Sequence, residues 1–178
     1  MSVMTNTQER TLIIFKPDAV QRGIVGEILS RFEKVGFKIV GTKMLQPDTA
    51  FFHHHYENIG TMITRHGQKI FDITVDMMKG SPVIAVVLEG IEAVTVVRKM
   101  VGATESKSAL PGTIRGDYSH MSYAHANEQE IGLPNLLHAS GDSAEAKLEI
   151  AHWFTDKELF SYETAHEKFT QTNKTHKK

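Results

Sequence analysis

Residues 135–142 read NLLHASGD, and His138 stands there between a pair of leucines and a run of small and polar residues. A neutral imidazole is a nucleophile near pH 7 without a strong base beside it, so phosphorus is a natural target for an exposed histidine. The spacing puts His138 where a short strand passes into a helix, a position open to a ligand. Ser140 follows two residues later, and the helix beyond directs its free N–H groups and positive dipole end toward nearby anions. Glu149 falls about two turns along that helix, within reach of one imidazole nitrogen. A hydrogen bond there would fix the tautomer and make the other nitrogen a better nucleophile. A lone histidine at a strand end is usually structural, so the neighbours are what give this one weight.

Basic residues punctuate the chain at informative places. Lys16 sits in FKPDAV just past the first strand, Arg98 lies late in a helix, Thr104 follows it, and Arg115 lies in PGTIRGD. A loop with Thr, Gly and Arg suits phosphate oxygens, because hydroxyls and backbone N–H groups donate and guanidinium clamps two oxygens at once. Singly, each is an ordinary solvated charge; convergence would make them a site. The run HHH at 53–55 suggests a metal, but adjacent helical residues point about 100° apart and cannot meet at one ion. It reads as a partly exposed helix face, and no metal ligand set is assigned. Neither G-x-x-x-x-G-K-[ST] nor G-x-G-x-x-G occurs, so a nucleotide would be held without either phosphate loop.

The elements that must position these residues alternate in type. Thr11–Phe15 reads as a buried strand, Pro17 keeps Lys16 out of a helix, and 24–35 has helical spacing with Gly36 as its stop. A second strand spans Phe37–Met44, and Pro47-Asp48 opens a helix running through FFHHHYEN. A helix is expected over about 67–79, a clean strand over Val83–Leu88, and a helix over 92–102. Residues 103–134 have no sustained period and read as a long functional or disordered loop. Leu136–Leu137 reads as a short strand ending at His138. The final helix starts at Asp142, with Glu145 completing a D-x-x-E capping box. Strands alternating with helices indicate an α/β sandwich, either ferredoxin-like or doubly wound.

The 178 residues, 40% apolar and 23% charged, suit one domain able to bury a core. A formal charge of −1 argues against a general nucleic-acid or acidic-membrane binder. No cysteine is present, which removes disulfides and thiolate chemistry and suits a reducing, cytoplasmic setting. The start, MSVMTNTQER, lacks the apolar stretch of a secretory signal, and no apolar run approaches the roughly 18 residues of a membrane span. The ends, 1–8 and 170–178, are expected to be flexible.

Several blocks in order resemble the nucleoside diphosphate kinases. They are ERTLIIFKPDAVQRGIVGEILSRFEKVGFKIVG (9–41), GSPVIAVVLEG (80–90) with RKMVGAT (98–104), PGTIRGD (111–117), and N-x-x-H at 135–138 with Ser140 and AEAKLEIAHWF. The match covers roughly 9–169. It implies a ferredoxin-like α/β sandwich with a four-stranded antiparallel sheet. It also implies a ping-pong reaction in which ATP or another nucleoside triphosphate phosphorylates His138, which then passes the group to a nucleoside diphosphate. By the same resemblance Glu149 orients the histidine and Ser140 supports that pair. Lys16 and Tyr56 lie near the ribose 3′-hydroxyl and the transferring phosphate. Arg98, Thr104 and Arg115 hold phosphates, and Asn135 contacts the ribose. Mg²⁺ would come bound to the nucleotide phosphates, and copies would assemble as tetramers or hexamers of dimers.

Three departures from the family pattern stand out. The stretch 56–80 is longer by about a turn and a half of helix. The base-stacking aromatic falls near Ile70-Phe71; only Phe71 has a ring face, while counting back from Pro82 gives Ile70. The segment YSHMSYAHANEQEIGLP (118–134) is also longer, and ASGDS moves the acidic residue one place, to Asp142. Two rival readings are a family-like module that binds nucleotides or nucleic acid without efficient turnover, and a metal binder built on HHH.

Overall fold

The structure, a computed structural model, describes residues 7–170. The elements in chain order are β1 (Gln8–Phe15), α1 (Pro17–Gln21), α2 (Val25–Val35), β2 (Lys38–Leu45), α3 (Thr49–His53), a π-helical turn (His54–Ile59), α4 (Met62–His66), α5 (Gln68–Lys79), β3 (Val83–Ile91), α6 (Ala93–Val101), α7 (Ile114–Tyr118), α8 (Tyr123–Glu128), β4 (Leu137–Ala139), α9 (Ser143–Trp153) and α10 (Glu167–Thr170). Two 3₁₀ turns, Ser106–Ser108 and Asp156–Glu158, complete the set among the described residues.

The sheet order is β2-β3-β1-β4 and every neighbouring pair is antiparallel. That is the ferredoxin-like sandwich, and it overturns the doubly wound alternative, which needs parallel strands. β1 is central and buried on both faces. Its even residues Leu12 and Ile14 join Phe52, Val75, Met78, Ile150 and Trp153 under α3–α5 and α9. Its odd residues Ile13 and Phe15 join Ile28, Phe32, Val97, Ile114 and Leu136 under α2 and α6. The two-residue period of a strand thus serves two cores at once.

Gly36 ends α2 at φ 102°, the left-handed conformation that a C-terminal glycine supplies without strain. Asp142 caps α9 by accepting from the N–H groups of Ala144 and Glu145, both at 2.8 Å. The expected reciprocal half of that capping box is shifted: Glu145 Oε2 accepts from Gly141 N at 2.8 Å rather than from Asp142. Gln8, assigned to the N-terminal tail by the sequence, opens β1 opposite Ile91. Of the flexible ends expected at 1–8 and 170–178, residues 1–6 and 171–178 lie outside the described residues, and Thr170 closes α10.

Residues 103–134 are not a structureless loop. Thr113 Oγ1 caps α7 through Gly116 N, and Ser122 Oγ caps α8 through His125 N. Glu105 Oε1 accepts Tyr123 N, and Met121 O accepts Lys107 N. These helices are five and six residues long, too short to display a period, and local caps define them.

Candidate functional site

β4 pairs with β1 so that His138 lies opposite Ile14, which brings it to the strand end where Lys16 begins the turn into α1. The residue before β4 is strained. Leu136 sits at φ 76°, and Leu137 N donates to Asn135 O at 3.0 Å, closing a γ-turn around it. Non-glycine residues in such a conformation cost about 1–3 kcal/mol and gather at functional sites. Asp18 Oδ2 holds the kink by accepting Leu136 N at 3.0 Å, and Leu136 O accepts Lys16 N at 2.9 Å. The strand expected at Leu136–Leu137 therefore starts one residue later, because Leu136 is spent on the turn.

Three side chains form one buried chain behind this strand. Glu149 Oε1 lies 2.7 Å from His138 Nε2, and Ser140 Oγ donates to Glu149 Oε2 at 2.6 Å. Ser140 in turn accepts Leu12 N at 3.2 Å, so β1 fixes the hydroxyl. Burial pushes the Glu149 carboxyl up, but His138, His55 and Ser140 together outweigh it and hold the group at about 2. An ionised carboxylate only accepts, so His138 carries its proton on Nε2 and keeps the lone pair on Nδ1. His138 remains 19% exposed while Glu149 is 1% exposed, so the anchored end is inside and the free end faces a cavity.

That cavity encloses about 440 Å³ and is lined by Lys16, Tyr56, Arg98, Thr104, Arg115, Asn135 and His138. Seven residues dispersed over the sequence thus converge. Among the described residues, Lys16, Arg98 and Arg115 make no ion pair with a carboxylate. Arg115 is 7% exposed. It donates from Nε to Asn135 O at 3.0 Å, from Nη1 to Gly102 O at 3.1 Å and from Nη2 to Leu137 O at 2.6 Å. Gly102 permits this approach: at φ 87° a Cβ there would lie 2.5 Å from Thr113 Oγ1. Burial and then the charge of Arg98 lower Arg115 to about 10, and burial followed by Arg115 lowers Lys16 to about 8. Arg98 Nη1 reaches the carbonyls of Ala139 and Ser140 at 3.5 and 3.4 Å. Three crowded cations, offset only in part by the charge of Asp18 on Lys16 and Arg115, make a site that gains from a polyanion.

Two more polar groups wait in the same space. The Tyr56 hydroxyl is buried with no hydrogen-bond partner among the described residues, and burial followed by the charge of Glu149 pushes its phenol above the usual range. Asn135 donates from Nδ2 to Thr104 O at 2.8 Å, while its Oδ1 stays buried with no partner among the described residues. Unpaired buried polar atoms are rare and call for a ligand or water.

Phe71 does not reach the cavity. It is 4% exposed in the core with Val75 and Met78, edge-on to His53 at 5.3 Å, and Ile70 lines the cavity instead. The apolar face of α5 needs its aromatic for the core, and that demand prevails over any use of the ring face. Phe71→Ala is accordingly expected to lower stability by about 3–5 kcal/mol in denaturant titration. Ile70→Ala should leave folding near the parent and raise the KM for nucleotide.

The histidine run also differs from expectation. His53 and His54 lie at the surface, but His55 is 1% exposed, packed on His138 with ring centroids 4.8 Å apart. The π-helical turn changes the angular step between neighbours and sends both His55 and Tyr56 inward. The α-helical period could not show this. The adjacency of His55 to Tyr56 was the available signal. His55, His138 and Glu149 are the one trio among the described residues close enough to suggest a metal. Yet His138 and Glu149 are already hydrogen-bonded to each other at 2.7 Å, and His55 Nδ1 accepts Trp153 Nε1–H at 3.2 Å, so the ligand atoms of the trio are already engaged.

Comparison with known proteins agrees with this geometry. The family model described as Nucleoside diphosphate kinase matches residues 9–159. Among curated relatives, the nucleoside diphosphate kinase of Borreliella burgdorferi is 44% identical over 154 residues, 86% of this chain and 92% of that protein. The one from Pyrococcus horikoshii is 47% identical over 158 residues, 88% of this chain and 92% of its own length. A solved nucleoside-diphosphate kinase from Borrelia burgdorferi, described as a transition-state mimic with bound vanadate and ADP, superposes with a TM-score of 0.88 at 42% identity, covering 92% of this chain and 96% of that one. A halophilic homologue from Halobacterium salinarum in complex with CDP gives a TM-score of 0.78 at 35% identity over 93% and 99% of the two chains. The chain belongs to the nucleoside diphosphate kinase family, enzymes that transfer phosphoryl groups between nucleotides.

Proposed function

We propose that the exchange runs through His138 as a relay, in two half-reactions at one cavity. In the first, the Nδ1 lone pair attacks the γ-phosphorus of a nucleoside triphosphate, the bond to the β,γ-bridging oxygen breaks, and the diphosphate leaves with those electrons. In the second, a terminal oxygen of another nucleoside diphosphate attacks the same phosphorus, and the N–P pair returns to Nδ1. The observation that carries this reading is the 2.7 Å contact between His138 Nε2 and an ionised Glu149, which leaves Nδ1 as the free nitrogen in the cavity that Lys16, Arg98 and Arg115 line.

The remaining roles follow from chemistry. Phosphoryl transfer needs positioning and charge stabilisation more than covalent help. Arg98, Arg115 and the Thr104 hydroxyl hold phosphate oxygens, Lys16 and Tyr56 donate near the ribose 3′-hydroxyl and the moving group, and Asn135 Oδ1 accepts from a ribose hydroxyl. Ile70 offers the base an apolar contact without reading its edge. Relatives solved with ADP and with CDP fit such low base selectivity. Mg²⁺ suits the nucleotide better than the protein. Among the described residues Glu145 is the lone carboxylate lining the cavity, and its Oε2 accepts from Gly141 N. The ion would arrive on the phosphates and neutralise part of their charge. A cytoplasmic setting and a tetramer or hexamer of dimers complete the proposal. Exposed Met44 and Leu110 are apolar surface that a second copy would cover. Among the described residues no helix is long and apolar enough to cross a membrane.

Initial velocities with ATP varied at several fixed GDP concentrations test the relay. Parallel double-reciprocal lines are expected; lines converging left of the axis mean direct transfer in a ternary complex. Lys16 adds a pH signature. Its folded value is depressed to about 8, so it is charged below that pH and loses its proton above it. In the free enzyme kcat/KM should therefore fall with a limb near pH 8, while kcat, measured with phosphates bound beside the lysine, should fall only at higher pH. A kcat/KM flat to pH 9.5 would exclude a role for the Lys16 cation.

A further inference from the structure

His55 carries no part of the relay as set out above, yet it is the most constrained group beside it. Its ring meets His138 at 80° and Trp153 at 87°, and its Nδ1 lies 3.7 Å from Glu149 Oε1, the oxygen that holds His138. That distance is too long for a hydrogen bond but short enough to become one after a small shift. The identity of the proton on His55 therefore decides whether Glu149 has one imidazole partner or two.

Trp153 settles that identity. An indole N–H only donates, and Trp153 Nε1 donates to His55 Nδ1 at 3.2 Å. His55 must then hold its single proton on Nε2, which is buried without a partner among the described residues. The opposite tautomer would aim two donors at each other across the Trp153 contact and would put a donor in front of Glu149. Burial first, then the charges of His138, His152 and His54, lower His55 to about 3, so it stays neutral through the working range.

We propose that His55 is a positioning residue for His138, and that the Trp153 indole N–H acts through it by keeping its Nδ1 proton-free, so that Glu149 Oε1 stays reserved for His138 Nε2–H. The Glu149 bond fixes one end of the His138 ring, and the His55 ring against it restrains the plane. Both are needed to aim the Nδ1 lone pair in line with the phosphorus. This rests on the relay reading, and it deepens it.

The decisive experiment combines Trp153→Phe with His55→Phe. In Trp153→Phe the indole donor is gone, so His55 can take its proton on Nδ1 and compete for Glu149. Then kcat should fall roughly 10- to 100-fold, the range for losing a partner that orients a reacting group, with KM for nucleotide unchanged. Adding His55→Phe removes the competitor and keeps an aromatic wall, so the double variant should be faster than Trp153→Phe alone. A double variant as slow as or slower than the single overturns the proposal, since a merely structural role predicts that two core changes do more harm than one. Nitrogen-15 NMR of the unmodified protein gives a second reading that needs no variant. His55 should appear as a neutral ring protonated at Nε2, and a proton on His55 Nδ1 overturns the proposal. Phosphate uptake by wild-type His138 tests the relay separately, so failure of the relay and failure of the positioning pair give different results.

Discussion

His138→Ala is expected to abolish phosphoryl exchange, with a loss on the order of 10⁴-fold or more, while the protein folds and still binds ADP. The magnitude follows from removing the atom that forms the covalent intermediate; losses of that size accompany deletion of a nucleophile elsewhere. Folding should survive because the side chain contributes one hydrogen bond, to Glu149, and Ser140 keeps that carboxylate partnered. Binding should survive because Arg98 and Arg115 are held by backbone carbonyls, those of Ala139, Gly102 and Leu137, and not by the imidazole. Steady-state assays with ATP and GDP, together with calorimetric ADP binding, separate the two quantities. A variant that kept a tenth of parental kcat would move the chemistry away from this residue.

Glu149→Gln is the second large effect. The carboxylate accepts two hydrogen bonds, from His138 Nε2–H and from Ser140 Oγ–H. A carboxamide offers one acceptor and one donor in that place. If its NH₂ turns to His138, the ring must take the other tautomer, and Nδ1 gains the proton that stops it attacking. If its oxygen turns to His138, the tautomer is kept but the negative charge that enriches the ring is lost. A fall in kcat of roughly 100- to 10,000-fold is expected, the upper figure being the cost of a wrong histidine tautomer in a serine-protease triad, with KM nearly unchanged. Acid unfolding gives an independent check. The folded value of Glu149 is held near 2, below its ordinary 4.5. Its stabilisation is therefore fully present above about pH 4.5 and is lost as pH falls through about 2. The parent's stability advantage over Glu149→Gln should shrink across that window in thermal melts.

The sequence made some parts of this molecule legible because single residues or strong periods encode them. β1 and β3 are runs of β-branched and aliphatic residues, Gly36 is a left-handed stop, and Asp142 is a helix cap that does what its type suggests. The relay residues were legible for a related reason: His138, Ser140 and Glu149 lie within one strand–helix unit, so their spacing alone sets them on a common side. Other features depend on long-range packing. Whether Ile70 or Phe71 lines the cavity is decided by which neighbour the core of Phe52, Val75 and Met78 requires. The inward turn of His55 needs a π-helical step that no α-helical wheel displays. The γ-turn at Leu136 is held by Asp18, more than a hundred residues earlier, and nothing local announces it. The short helices α7 and α8 owe their existence to Thr113 and Ser122 caps and to contacts with Glu105 and Lys107.

The most direct measurement is a covalent one. The protein is mixed with γ-labelled ATP and Mg²⁺, freed of nucleotide, and assayed for phosphate stable to base and labile to acid, with its site located by peptide mapping. One equivalent on His138 is expected, attached at Nδ1 and discharged to GTP on addition of GDP. Label that withstands acid, resides on another residue, or stays on the protein when GDP is added would contradict the relay.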